Sequence, residues 1–532
     1  MRASGLLVAS AWIAAVPAAA AANDTARIID EGMNRSQVLV TAHQLMDGIG
    51  PRLTISTNMR KAQNWAVAKF QGYGLTNVHR EPYRFGRGWD IVDSSVRLVA
   101  PRPITLTAIP VAWTPPTNGT VRAPVVVAPL DKLEHFAANR GKLAGKIVLI
   151  NLPGNAGEPA DAPFKRLTAE DIAKRDQYAV PAFDPNEPVE WLKRIDFFRQ
   201  MDKFLAAEGA VAWVRKSYRD GKLISGEGYQ HAVGDSPRLP AVELAAEDYR
   251  RIARMAKSGE NPVLEINSDV RYLDDDPNAY NVIADLPGTD PKAGYVMAGA
   301  HFDSWAAADG AADNGAGSVV VMEAARILRQ LGVRPKRTIR FALWSGEEQG
   351  LYGSANYVQD HIASRPGAIG PGGVLLWDQL VRNYPVTPRP GYGAMKACFN
   401  IDNGSGKIRG IYSEGNAAAV PLLSEWLAPF KSMGAGAVVA GPTTGTDHES
   451  FQAVAAPGFQ FIQDPLDYGS RVHHTNADTV DRLKADDLRQ AATIMAGVLL
   501  AAANSDEELP RAPLPRQPTA SDPFKYDYPQ SN

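Results

Sequence analysis

Two apolar runs separated by an amphipathic stretch stand at the centre of this 532-residue chain. Residues 296–299 and 338–344 have the length and composition of buried strands. Between them, Val319, Val320, Met322, Ala325, Ile327, Leu328 and Leu331 recur at helical intervals, which predicts a helix over 318–331. Strand, helix and strand in this order predict a parallel crossover. Ligands in open α/β sheets bind beyond the carboxyl ends of such strands. His301, Asp303 and Asp313 follow the first run, and Glu347 and Glu348 follow the second. An isolated His-x-Asp or Glu-Glu is commonplace on ordinary surfaces. Two such sets after two successive buried strands point to a shared site.

The flanking pattern extends this unit. Residues 24–68 are helical in pattern, broken at 48–52, and residues 78–101 alternate like strands that pack on the same sheet. From 115 to 270 the character changes, with short apolar segments at 125–128, 146–150 and 210–214 between polar loops. The longest loop, 157–188, is rich in Pro and Asp, and such loops are usually functional or mobile. Residues 278–288 resume the first sheet, and 399–402 form another strand that ends in Asp402. Helices are expected over 417–427 and 485–503, and a Pro-rich, extended tail from 505.

A chain of this length exceeds one ordinary hydrophobic core, so two domains are expected. With 45% hydrophobic and 21% charged residues it has the composition of a soluble globular protein. A formal charge of −2 and no long basic run argue against a nucleic-acid partner. Arg2, the apolar residues 6–16 and the Ala-rich 18–22 read as a secretory signal, giving a secreted or periplasmic product with no membrane span after cleavage. The single cysteine, Cys398, allows no intramolecular disulfide and is expected in the core. His135 and His231 are expected to be surface or packing residues.

His301-x-Asp303, Asp313-Asn314-x-x-Gly317 and Trp344-Ser-x-Glu347-Glu348-x-Gly350 resemble the signatures of the M28 di-zinc peptidases. HFDSW followed by RPKRTIRFALWSGEEQG is similar to the plasma glutamate carboxypeptidase branch, and the similarity covers about 278–502. Residues 115–270 resemble an inserted protease-associated domain. The resemblance implies a zinc-exopeptidase fold: a mixed, largely parallel α/β sheet flanked by helices, with a β-rich insertion. It divides the chain into a signal (1–22), an N-terminal peptidase part (23–114), the insertion (115–270), the catalytic domain (271–504) and the tail (505–532).

By the same resemblance, two Zn2+ ions would be held by His301, Asp313, Glu348, Asp402 and His474, with Asp313 bridging. Glu347 would act as general base and acid. Asp303 would accept the second N–H of the His301 imidazole, and Asp478 could serve His474 in the same way. Many relatives carry Asp where this chain has Asn314, and the peptide before that residue is typically cis in the family. Asp447, His448, Tyr468, Arg471 and His473 would line or contact the substrate. Arg471 would suit a substrate carboxylate, whereas Asp447 would suit a free amine, and these imply different exopeptidases.

The expected activity is hydrolysis of peptides or dipeptides, as an aminopeptidase or dipeptidase, with a carboxypeptidase or an amidohydrolase of amino-acid conjugates as alternatives. No G-x-S-x-G elbow lies beside a suitable strand, and residues 404–407 lack the full phosphate-loop spacing. A binding ectodomain without catalysis would keep the fold, but retention of all the candidate ligands and Glu347 argues against it.

Overall fold

The computed structural model describes residues 15–157, 159, 161–179, 190–367, 373, 375, 381 and 383–516. Most of the expected signal, residues 1–14, and the end of the tail, residues 517–532, lie outside the described residues. The first described helix, Ala15–Asn34, runs through the Ala-rich stretch. Among the described residues, no helix is long and apolar enough to cross a membrane.

Among the described residues, eighteen strands form two eight-stranded sheets and one short pair, β13 (Ala363–Ser364) with β14 (Thr387–Pro388). The first sheet comprises β1 (Thr76–Arg84), β10 (Asn278–Leu286), β11 (Tyr295–His301), β12 (Thr338–Trp344), β15 (Met395–Asn400), β16 (Ile408–Tyr412), β17 (Ala437–Val439) and β18 (Gly458–Gln463). Its order is β1-β10-β12-β11-β15-β18-β16-β17. The four central strands β12, β11, β15 and β18 are mutually parallel, and antiparallel pairs occur toward both margins. Val296, Ala298 and Ala300 of β11 enter one core with Ile339, Phe341 and Leu343 of β12, while Met297, Ala342 and Trp344 enter the core on the other face. Burial on both faces explains why these strands read as continuous apolar runs. Helices Ala316–Gln330 and Ala485–Asn504 cover the first face, together with Val38–Ile49 and Thr57–Gly72.

The second sheet has the order β3-β2-β9-β5-β6-β7-β8-β4. Its strands are β2 (Gly88–Ala100), β3 (Ile104–Thr105), β4 (Ala108–Pro110), β5 (Val121–Val127), β6 (Ile147–Leu149), β7 (Ala212–Lys216), β8 (Ala241–Leu244) and β9 (Val263–Leu273). This sheet therefore begins before the expected boundary at 115, because β2 to β4 belong to it rather than to the first sheet. The alternating stretch 78–101 is divided at Gly88, with β1 on one sheet and β2 on the other. The long antiparallel pair β2 and β9, from Gly88↔Leu273 to Ala100↔Val263, forms the stem on which the chain leaves and re-enters the first unit. The second unit is also less purely β than expected. Helix Ala246–Lys257 packs on one side and Glu190–Ala207 on the other, since the short strands β6 and β7 are apolar toward both faces.

Part of the long Pro/Asp-rich loop docks on the first unit, where Arg166 pairs with Asp464 at 3.0 Å and with Asp487 at 2.9 Å. The Leu167 N–H donates to Asp464 at 2.8 Å. Residues 180–189 of that loop lie outside the described residues. The start of the tail is irregular yet packed: Leu509 is buried and Lys396 pairs with Glu508 at 2.6 Å. Cys398 is free and buried in the core. His231 is a packing residue, stacked on Phe85 with ring centroids 4.1 Å apart.

Candidate metal centre

The parallel strands β11, β12 and β15 deliver His301, Glu347-Glu348 and Asp402 to the same edge of the first sheet. Gly346 makes the turn after β12 at φ +70°, and an added Cβ there would lie 2.6 Å from the Tyr83 hydroxyl. Asp313 sits on the kinked turn Ala311–Gly315 ahead of helix Ala316–Gln330, and its peptide bond to Asn314 is cis. His474 arrives on an irregular segment after Tyr468–Val472, with φ +58°.

These side chains form two clusters that share Asp313. His301 Nε2 lies 3.2 Å from Asp313 Oδ1 and 3.2 Å from Asp402 Oδ1. His474 Nε2 lies 2.9 Å from Glu348 Oε2 and 3.4 Å from Asp313 Oδ2. Asp313 thus offers one carboxylate oxygen to each imidazole–carboxylate pair. Asp313 Oδ2 and Glu348 Oε1 are buried with no hydrogen-bond partner among the described residues, a state that is costly unless something else satisfies them. The donor set is all nitrogen and oxygen with a bridging carboxylate, which suits a pair of zinc ions. Asp313, Glu348, Asp402 and Glu347 together supply four negative charges when ionised, matching two divalent cations.

Burial and charge crowding are severe. Burial pushes Glu347 well above the usual carboxylate range, reinforced by nearby Asp402 and Asp447. Burial likewise raises Glu348 to about 7. Burial alone would raise Asp313 as well, but the His301 hydrogen bond and the charges of His474 and His473 hold it well below the usual range. Glu347 Oε2 lies 4.0 Å from His301 Nε2 and faces the same space.

Two supporting carboxylates differ from expectation. His301 Nδ1 faces the backbone carbonyl oxygen of Asp303 at 3.1 Å, while the Asp303 carboxylate stands 3.8 Å away. That carboxylate instead accepts the N–H groups of Glu347 and Glu348, each at 3.3 Å, and the Thr54 hydroxyl at 3.2 Å. The chain turns sharply after β11, so the carbonyl folds back on the ring and the side chain reaches the next turn. Asp478 accepts the N–H groups of Ala312 and Asp313 and therefore does not serve His474. The partner of His474 Nδ1 is Glu227 Oε1 at 2.9 Å, a residue from the second unit that no sequence motif marks.

A cavity of about 580 Å³ opens over the centre between the two units. Glu347, Glu348, Asp313 and Asp402 of the first unit line it, together with Phe198, Trp213, Arg194 and Arg215 of the second unit. Tyr468 and His473 line it as expected. The His473 ring stacks on His474 at 3.7 Å, and its Nε2 lies 3.8 Å from Asp313 Oδ2. Burial and the neighbouring His474 lower His473 to about 4. Asp447 and His448 are fully buried and Arg471 is exposed; none of the three is a lining residue. Burial raises Asp447 to about 7, and His448 Nε2 points to the Thr443 carbonyl at 3.2 Å. These positions remove Asp447 and Arg471 as direct substrate contacts in this arrangement.

Asn314 uses both ends of its amide. Its Nδ2 donates to the Ile401 carbonyl at 2.9 Å, and its Oδ1 accepts the Gly317 N–H at 2.9 Å. A Cβ on Gly317 would meet Asn314 Oδ1 at 2.3 Å, so the glycine of the motif is required by close approach.

Comparison with known proteins bears on the same residues. The model of peptidase family M28 matches residues 281–499. Carboxypeptidase Q of Bos taurus, a plasma glutamate carboxypeptidase-like relative, is 27% identical over 472 residues, spanning 88% of this chain and 85% of that protein. The fold is similar to that of a peptidase M28 precursor from Shewanella amazonensis, with TM-score 0.64, 23% identity, and coverage of 94% of this chain and 99% of that one. It is also similar to BSAP, a zinc aminopeptidase from Bacillus subtilis, with TM-score 0.56, 18% identity, and coverage of 88% and 95%. With a domain match over residues 281–499, a relative spanning most of the chain and a cluster suited to two zinc ions, the chain carries a peptidase family M28 domain and is a zinc metallopeptidase of the exopeptidase kind.

Proposed function

We propose that the chain is an exported dipeptidase or aminopeptidase that acts on short peptides. The observation that carries the mechanism is Asp313 standing between two imidazole–carboxylate pairs, with Glu347 beside them facing the cavity. His301 and Asp402 would hold one zinc, His474 and Glu348 the other, and Asp313 would join both. Zinc ions bound there supply a lowered water pKa and a polarised scissile carbonyl. Glu347 takes the proton of the attacking water and delivers it to the leaving amine. Its buried, acid-crowded surroundings raise its proton affinity toward that task. Asp303 holds the Glu347–Glu348 turn by its two N–H groups, so the base and the neighbouring ligand keep fixed, divergent directions.

The cavity supports the short-peptide reading. Its volume of about 580 Å³ lies within the usual range for small-ligand sites, about 300–1,000 Å³. Glu449 offers a carboxylate to a free amine, and Arg194 offers a guanidinium to a free carboxylate. The second unit is then a protease-associated-type cover that limits substrate length. A carboxypeptidase is the second reading, favoured by Arg194 and by the name of the Bos taurus relative.

Mass spectrometry of products from three substrates tests this. A free dipeptide, an N-acetylated peptide with a free C-terminus, and a C-amidated peptide with a free N-terminus would each be incubated with the zinc-loaded enzyme. Cleavage of the dipeptide and stepwise loss from the free N-terminus are expected. Trimming of only the acetylated peptide, from its C-terminal end, would overturn the reading in favour of a carboxypeptidase.

A further inference from the structure

We infer that the second unit completes the metal centre, with Glu227 as the positioning residue that orients His474. This rests on His474 being a zinc ligand, and it goes beyond the role of a cover.

The His474 segment belongs to neither sheet, and its backbone is held from the other unit. Asn476 N–H donates to the Ile224 carbonyl at 2.9 Å, and Ile224 N–H donates to Asn476 Oδ1 at 3.0 Å. The Tyr218 hydroxyl donates to the His473 carbonyl at 2.8 Å, and Arg219 donates to the Gly469 carbonyl at 2.6 Å. Residues 218–227 of the second unit therefore clamp both sides of the ligand.

Glu227 reaches the ring itself. Its Oε1 lies 2.9 Å from His474 Nδ1, and the other ring nitrogen points to Glu348 and Asp313. The Ser225 hydroxyl donates to the same Oε1 at 2.9 Å, and the Tyr229 hydroxyl donates to Oε2 at 3.4 Å. Glu243 on β8 anchors the turn by accepting the Ser225 N–H at 2.7 Å, and Glu243 is held in turn by Arg215 on β7 at 2.6 Å. A carboxylate that accepts Nδ1–H fixes the tautomer whose Nε2 carries the lone pair for a metal, and makes that nitrogen more basic. The ring is further confined by Trp305, edge-on at 6.1 Å. Anything that binds at His474 then stabilises docking of the second unit, and docking stabilises binding, because the linkage is reciprocal.

The test measures zinc stoichiometry and affinity by chelator competition in the full-length protein and in Glu227→Ala, Glu227→Gln, Glu227→Asp and His474→Ala. Wild type is expected to bind two zinc ions. His474→Ala is expected to lose one of them, and Glu227→Ala to weaken one of the two by about 10–100-fold. Glu227→Asp should recover part of that loss, and Glu227→Gln keeps the side-chain volume should the alanine variant fail to fold. Hydrogen exchange of residues 218–230 should slow on zinc addition in wild type and not in Glu227→Ala. If His474→Ala loses one zinc while every Glu227 variant binds both with wild-type affinity, the inference is overturned and Glu227 becomes a substrate contact, read as a raised KM alone. If His474→Ala still binds two zinc ions tightly, the ligand assignment itself is overturned.

Discussion

The Asp478 carboxylate accepts the backbone N–H of Asp313 at 3.0 Å, and of Ala312 at 2.6 Å, so the residue shared by both clusters is aimed through its main chain. Asp478→Asn turns one acceptor into a donor facing a backbone N–H. Leaving that buried group unpaired costs about 1–3 kcal/mol. Zinc affinity should also fall about 10–100-fold as Asp313 loses its direction. Thermal denaturation and chelator competition read the two effects, and unchanged values in both would remove this role from Asp478.

Glu347→Gln should leave zinc stoichiometry at the wild-type value, because Glu347 stands beside the clusters rather than between them. Turnover should fall by about 100-fold to 10,000-fold, the usual contribution of a positioned general base. Metal analysis and steady-state kinetics on the same preparation separate the two. Loss of zinc together with activity would make Glu347 a ligand instead.

Asn314→Asp probes a departure from the commoner sequence pattern. The Nδ2 donor to the Ile401 carbonyl would become a carboxylate oxygen facing a carbonyl oxygen at the same 2.9 Å spacing. The aspartate must be protonated to keep the bond, so its folded pKa is raised. Stability is then retained at acid pH, below the unfolded pKa of about 3.9, and is lost as pH rises through the folded pKa. A loss of about 1–3 kcal/mol at neutral pH is expected, and a variant with wild-type stability at pH 7 would contradict it.

The catalytic sheet was legible because its strands are short, apolar and buried on both faces, and because parallel pairing brings their ends to one edge. His301, Asp313, Glu348, Asp402 and His474 converge there although they lie far apart along the chain. What sequence reasoning missed depends on contacts between units. Glu227 and Arg194 sit in segments with no periodicity or motif, Trp213 sits in an apolar run that reads only as a strand, and only the folding of the second sheet back on its β2–β9 stem brings them to the cavity. The Asp303 and Asp478 carboxylates accept backbone N–H groups rather than imidazole N–H groups, because spacing along a chain does not tell a carboxylate from its own carbonyl. Asp447, His448 and Arg471 neighbour the cavity in sequence but are turned away from it, inward or to solvent, by the local helix and turn geometry.

His231 should make the fold acid-sensitive independently of the metal. Burial lowers it from 6.5 to about 4, against the weaker opposing pull of Asp235. Between those values the unfolded chain binds a proton that the folded chain refuses, so stability rises with pH and is lost as pH falls through this window. The full effect is on the order of 3 kcal/mol. His231→Phe keeps the stack on Phe85 and removes the titration, so its stability should fall less than that of wild type between about pH 6.5 and 4. Denaturant midpoints across this range decide it, and parallel curves for the two proteins would show that His231 is not the source.

Arg194 offers the sharpest test of substrate polarity. It lies on helix Glu190–Ala207 with its guanidinium carbon 5.9 Å from the Phe198 ring centroid, and both residues line the cavity that the acidic centre also lines. Arg215 lines it too, but its charge is taken by Glu243 at 2.6 Å. A substrate carboxylate reaching this wall would therefore gain most from Arg194, and a charge-assisted hydrogen bond contributes about 1.5–3 kcal/mol. Arg194→Ala should raise KM for a free dipeptide by about 10–100-fold, with kcat and zinc content little changed, because uniform binding is what is removed. The amidated dipeptide has no carboxylate to lose, so its kinetics should match those of wild type. Arg194→Lys should restore only part of the difference, since lysine lacks the planar two-pronged donor. Equal losses on the free and amidated substrates would mean that Arg194 shapes the cavity without reading the carboxylate.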